Sequence, residues 1–401
     1  MIEQIILSSI LGISAGILTG LLPGIHINLV ATFLFLNSKT FLSLTTPLVL
    51  ATFIISMAVT HTFIDFIPSI LLGAPDEDTA LSTLPGHRML LQGQGYEAIK
   101  LTAIGCFLGT LLVCALAFLF IEASRFFYPF LEKFMVFILI ALSLILILTE
   151  KSLKNKLFAF FIFILSGILG YFTLELTTIK QPLFPLLTGL FGSSLLIMSF
   201  FQKVKLPEQK ITKTRIEKKE ILKALGLSVF SSTLVSFLPG VGSSQAATLA
   251  SLFKKIKEKT FLVLLGAINS ITMILSFIAL YSINRPRSGV AVFVGKFLPN
   301  MTLNQLYLLI LLALLVACFS FVITLFLAKN FSRIISKISY KTLCLIVLIF
   351  LVILTPILSG WLGFVVLVTG TALGIYCSQL GIKKIFLMGS LLLPVIIWRI
   401  L

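Results

Sequence analysis

Negative charge is what this 401-residue sequence lacks most. Asp and Glu number 14 against 31 Lys and Arg, and charged residues make up only 11% of the chain. A soluble protein carries about a quarter. That deficit excludes a soluble enzyme, a disordered chain and a nucleic-acid-binding domain. The net charge of +17 reads instead as Lys and Arg at cytoplasmic membrane boundaries with few acids to offset them. Three His leave little for metal chemistry. Cys106, Cys114, Cys318, Cys344 and Cys377 lie in apolar stretches without CxxC spacing, as small hydrophobes do. No Walker loop, GxGxxG or nucleophile–base constellation occurs, so neither an ATP-driven pump nor an enzyme is expected. The N-terminus has no basic n-region and no A-x-A-like site, so its first apolar segment is expected to stay in the mature chain.

What is abundant is apolar. Such residues make up 58% of the chain, Phe alone numbers 37, and mean hydropathy is +1.14. Runs such as LIALSLILILT do not alternate as barrel strands would. Helices satisfy their own backbone in hydrocarbon. The sequence therefore predicts an all-α, multi-pass protein of the cell membrane.

One polar stretch, 202–220 (QKVKLPEQKITKTRIEKKE), divides the chain into halves 1–201 and 221–401. Each half opens with an apolar arm, a Leu-Pro-Gly break and a second arm rich in small or polar residues: ILTG-LLPG-IHINLVAT and LVS-FLPG-VGSSQAAT. A long helix follows in each (41–60 and 260–282), then a broken polar stretch (61–97 and 283–303). Four apolar segments close each half: 98–121, 133–149, 155–173 and 183–201, against 304–328, 342–358, 360–378 and 385–400. The pattern predicts an internal duplication of about five spans per half plus a re-entrant or broken Pro-Gly hairpin. With the basic linker in the cytoplasm, loop 150–156 and the KKIKEK stretch at 254–259 fall inside, and loops 122–132 and 174–182 fall outside. An odd number of spans per half makes the repeat inverted. Arg285, Arg287 and Lys296 depart from this charge pattern, on the outside or in a re-entrant pocket.

Inverted repeats with broken helices belong to secondary transporters. Helix N-termini entering from both faces favour an anion near the midplane. After the first break come Gly24, His26 and Asn28. After the second come Gly240, Gly242, Ser243, Ser244 and Gln245. Pro-Gly can equally just kink a helix, with small residues serving close packing. Two breaks at equivalent positions, each followed by polar residues, favour a binding site. His61 and Asp65 stand at i, i+4, with Asp65 the candidate for a coupling ion. A hydrogen-bonded structural pair is the alternative. The acidic triplet Asp76, Glu77, Asp78 reads as a solvated loop. Arg285 and Arg287 match a carboxylate or phosphate, or anchor at lipid headgroups.

Several stretches also carry a resemblance. GILTGLLPGIHINLVATF and PSILLGAPDEDTALSTLPGHRMLLQGQGYEAI, with SFLPGVGSSQAATLASLF, GAINS and RPRSGVAVFVG, resemble the large membrane subunit of tripartite tricarboxylate transporters, the TctA family. Departures are His26 in place of a second Gly, Asn269 followed by Ser270 in place of paired Asn, and Arg287 within the PGS-like motif. The chain is also shorter than usual members. The resemblance implies carboxylate import driven by an ion gradient, with an extracytoplasmic binding protein and a small membrane subunit as partners. It adds Asn269 to the substrate-binding set. No cofactor is expected beyond H+ or Na+ as coupling ion. The expected partners are a small organic anion or an anionic lipid, and the bilayer. Nucleic acid is not among them, and a homo-oligomer stays open. The alternative reading is a translocase of a lipid-linked phosphate such as polyprenyl phosphate. A lipid-phosphate enzyme would have only His26, His61 and Asp65 to work with.

Overall fold

Pro and Gly cut the apolar chain into helices of unequal length. In the computed structural model, the residues described are 2–22, 27–73, 79–201, 207–211, 214, 216–236, 243–253, 256–286, 288–335 and 339–400. All regular structure among them is helical. Gly24, His26, Asp76, Glu77, Asp78, Gly240, Gly242 and Arg287 lie outside the described residues, as do the side chains of Asn28 and Gln245.

The first Pro-Gly break separates α1 (Ile2–Leu21) from α2 (Ile27–Leu36). Next come α3 (Ser38–Leu44), α4 (Pro47–Ile64), α5 (Phe66–Leu71), a 3-10 turn (Ala80–Ser82), α6 (Thr83–Leu91) and α7 (Gly95–Ala115). Then follow α8 (Ala117–Leu148), α9 (Leu153–Glu175), α10 (Leu183–Leu187), a π-helical turn (Thr188–Ser193) and α11 (Ser194–Phe201). After the linker, α12 (Lys218–Ser236) and α13 (Ser243–Phe253) flank the second break. The chain ends with α14 (Glu258–Ile283), α15 (Gly289–Phe297), α16 (Leu303–Ile335), α17 (Tyr340–Gln379), a 3-10 turn (Lys384–Met388) and α18 (Gly389–Ile400). Among the described residues, seven helices are long and apolar enough to cross a membrane, eight counting a bent α8. The arms α2 and α13 are not. At 1.5 Å per residue they rise only about 15–17 Å, half of a ~30 Å hydrocarbon core.

One expectation needs correction. Residues 122–132, read as an outer loop from their charge, are helical within α8. Glu122 and Arg125 form an i, i+3 ion pair of 2.9 Å on its exposed surface, which a helix accommodates. The chain instead bends by 83° between Ala117–Phe130 and Glu132–Leu148. The linker docks onto α6 and the start of α7. Gln209 is buried; its Oε1 accepts from Gly95 N at 2.9 Å and its Nε2 donates to Leu90 O at 3.0 Å. Lys210 N adds a bond to Gly93 O.

Packing pairs helices both within and across the linker. The helix ahead of each break lies on the long helix that follows it, α1 on α4 and α12 on α14. Across the linker, α7 packs on α14, α4 on α16, α9 on α18, and α17 on α10, the π-turn and α11. Glycine makes the closest of these crossings possible. A Cβ on Gly105 would strike Val263 O, and one on Gly266 would strike Thr102 O. Gly170 against Ser390 O and Gly389 against Phe163 O repeat the arrangement between α9 and α18. With no water to squeeze out between helices in lipid, such backbone proximity carries much of the association.

Candidate functional site

The break between α4 and α5 creates the centre of the site. Pro68 has no N–H to give to the carbonyl of Ile64, four residues back, and its ring crowds it. The helix yields at Asp65, whose backbone N–H still reaches His61 O at 2.9 Å. Asp65 and His61 are both buried, one turn apart. His61 Nδ1 lies 3.1 Å from Thr19 Oγ1, in the last turn of α1 before the first Pro-Gly break. A Cβ on the adjacent Gly20 would stand against Ile64 and Asp65 N. The arm entering the first break therefore ends beside Asp65.

A residue just after the second break, Ser243, reaches the same place. Asn269, in the middle of α14, is 2% exposed. Its Nδ2 donates to Asp65 Oδ2 at 3.3 Å and to Thr62 O at 3.5 Å. Its Oδ1 accepts from Ser243 Oγ, at the start of α13, at 3.4 Å. Ser243 Oγ also lies 2.6 Å from Thr272 Oγ1. Ser244, next along α13, is fully buried, and its carbonyl accepts from Thr248 Oγ1 at 2.9 Å. One network thus joins a carboxylate, an amide and two hydroxyls from three elements, with His61 and Thr19 adjoining. A carboxylate with carbonyl and hydroxyl oxygens suits a proton or a small hard cation. Amide and hydroxyl donors suit an anion.

The other sequence candidate lies elsewhere. Arg285 is exposed just past the end of α14, about 24 Å along the helix from Asn269 at 1.5 Å per residue. Lys296 is exposed, its Nζ 4.2 Å from the Phe35 ring centroid and 5.2 Å from that of Phe293. This cation–π contact ties α15 to α2. Sequence reasoning missed Thr19, Thr62 and Thr272. Only Thr272 had a local signal, lying three residues beyond Asn269 on one helix face. At the opposite end of α14, ion pairs form a rim: Arg88–Glu258 at 3.2 Å, Lys259–Glu97 at 2.7 Å and Lys257–Glu220 at 3.3 Å. A cavity of about 630 Å³ opens there between the linker and α14, lined by Glu217, Glu220, Lys257 and Lys259 among others. Thr260 and Lys257 hold the Glu220 carboxyl below its usual range. Among the described residues no group of three or more His, Cys, Asp or Glu is placed to hold a metal.

Comparison with known proteins gives two matches. The model of the Tripartite tricarboxylate transporter TctA family matches residues 6–389. An uncharacterized protein of Methanocaldococcus jannaschii is 34% identical over 387 residues, covering 94% of this chain and 93% of that protein. No solved structure matches.

Proposed function

Because the chain belongs to the tripartite tricarboxylate transporter TctA family, we propose that it is the secondary active permease of an organic anion, a carboxylate, bound beside the residues that flank its two Leu-Pro-Gly breaks. It is a multi-pass membrane protein and a transporter component. One observation carries the finer reading. Residues flanking both breaks, Thr19 and Gly20 from one and Ser243 from the other, gather on the buried Asp65–Asn269 pair. Helix breaks inside a membrane are tolerated where they line a cavity or are buried in protein, and paired half-helices of this kind form transporter sites.

In this reading Ser243, Ser244, Gln245 and Asn269, with backbone N–H groups at Gly24, Gly240 and Gly242, orient the anion. His26 and Asn28 contribute from the first hairpin. Asp65 takes the H+ or Na+, and His61 tunes it. A small membrane subunit and an extracytoplasmic binding protein complete the transporter in the cell membrane. Arg285, remote from Asn269, serves binding-protein contact or anchoring rather than the midplane site.

The test is thermal stability of the purified protein against di- and tricarboxylates, with and without Na+, at two pH values. A ligand of the folded state raises stability as RT ln(1 + [L]/Kd). We expect a carboxylate-dependent rise in wild type that Asn269→Ala weakens about tenfold, since a hydrogen bond to a charged group contributes about 1.5–3 kcal/mol. Asp65→Asn should remove its dependence on Na+ or pH. A rise with polyprenyl phosphate and none with carboxylates would replace this reading with lipid translocation.

A further inference from the structure

Away from the hairpins, the structure buries a second charge that the transport reading leaves unused. Lys384 opens the 3-10 turn between α17 and α18 and is only 5% exposed. Its Nζ donates to Ser194 Oγ at 2.7 Å, which uses one of the three N–H donors of an ammonium. Buried charges are ordinarily paired. Glu150, beside the adjacent Lys383, is taken by that residue at 2.9 Å. No ion pair to Lys384 occurs among the described residues.

The surroundings are built rather than incidental. Ser194 directly follows the π-helical turn Thr188–Ser193, a deformation that recurs at functional sites. Within that turn Thr188 Oγ1 is buried without a hydrogen bond among the described residues. The Lys384–Met388 turn and the Ala80–Ser82 turn both pack against α13, the helix whose first residue joins the Asn269 network. Titratable neighbours come from three directions. Cys377 faces Lys384 from α17, His87 interacts with it from α6, and Glu150, held by Lys383, stands just ahead of α9. The elements α10, α11, α13 and the π-turn carry no titratable side chain, and α18 carries only Arg399. Burial lowers Lys384 to about 8, and burial, then Lys384, lowers His87 to about 4. At neutral pH the lysine is therefore the cation and the histidine is neutral.

We propose that Lys384, with Ser194, is a second carboxylate-binding site, reached along α13 and distinct from the Asp65–Asn269 site. The proposal rests on the transport reading only in taking the transported anion as its occupant. Among the described residues the buried ammonium has no counter-charge, and in this proposal the substrate carboxylate supplies it.

The experiment measures citrate- and succinate-dependent melting of wild type, Lys384→Gln, Lys384→Arg and Asn269→Ala, at pH 7 and pH 9 and constant ionic strength. Lys384→Gln should weaken the carboxylate response about tenfold or more, the loss of a charged hydrogen bond. Wild type should lose the same component at pH 9, above the value of Lys384. Lys384→Arg, charged at both pH values, should keep it. The proposal is overturned if Lys384→Gln responds like wild type, or if wild type and Lys384→Arg weaken together at pH 9. Asn269→Ala separates the two sites. An unchanged Asn269→Ala with a silent Lys384→Gln sinks the hairpin reading alone, and the reverse sinks this one alone.

Discussion

Lys384 has an energetic signature even without ligand. Its value falls from 10.5 in the unfolded chain to about 8 when folded, because burial disfavours the charge. The unfolded chain then binds more protons between those values, so stability rises with pH across that window. Below about pH 8 the full penalty applies, up to about 3 kcal/mol for a shift of this size. Lys384→Met should accordingly raise the unliganded melting temperature at pH 7, and the gain should vanish by about pH 10.5. A melting temperature at pH 7 that drops in this variant would mean the ammonium is compensated in the empty protein. None of this was visible in sequence, where Lys384 is one of two Lys in a short basic loop, GIKKIF. Its burial follows from packing between α9, α17, α18 and α13, contacts made by residues far apart in the chain. Asp65 and Asn269 illustrate the same limit. Each was legible alone, one as an intramembrane acid and the other through family resemblance. Their hydrogen bond joins positions about 200 residues apart, and no local period encodes such a pairing.

Elements were more legible than pairings. The first Leu-Pro-Gly break ends α1 at Leu21, because Pro removes a donor and Gly leaves the helix cheaply. The boundary read between 358 and 360 is also present, at Gly360, whose φ of +73° only glycine adopts without strain. The π-turn at Thr188–Ser193 was not foreseen, since its extra residue per turn leaves no mark in apolar spacing. Glycines on the helices divide into two kinds, and substitution should tell them apart. Gly266→Leu must push into Thr102 O on α7, and overpacking of this sort costs about 1–3 kcal/mol or more. Gly226, inside α12, has nothing within 4 Å of a Cβ. Gly226→Ala should therefore stabilise by about 0.5–1 kcal/mol through helix propensity. Equal effects of the two on the melting temperature would contradict the packing of α7 on α14.

For the whole molecule, the rim of ion pairs and Arg285 stand at opposite ends of α14. Its 26 residues span about 39 Å, more than the ~30 Å hydrocarbon thickness. Single cysteines replacing Lys210 and Arg285, in a chain stripped of its five native cysteines, should react with an impermeant maleimide from opposite sides of the membrane. Labelling of both from one side would overturn the orientation of α14 and the inside placement of the linker.

The crossed packing of α7 on α14 also bears on biogenesis. The glycine face of α7 leaves the ribosome roughly 160 residues before its partner on α14. At about 5–20 residues per second that interval is roughly 10–30 s. For that time Gly105 and Gly109 face lipid or the insertion machinery, with two small-residue grooves unfilled. The nascent first half is thus an open template, and α14, the first long span of the second half, closes it as it enters the bilayer.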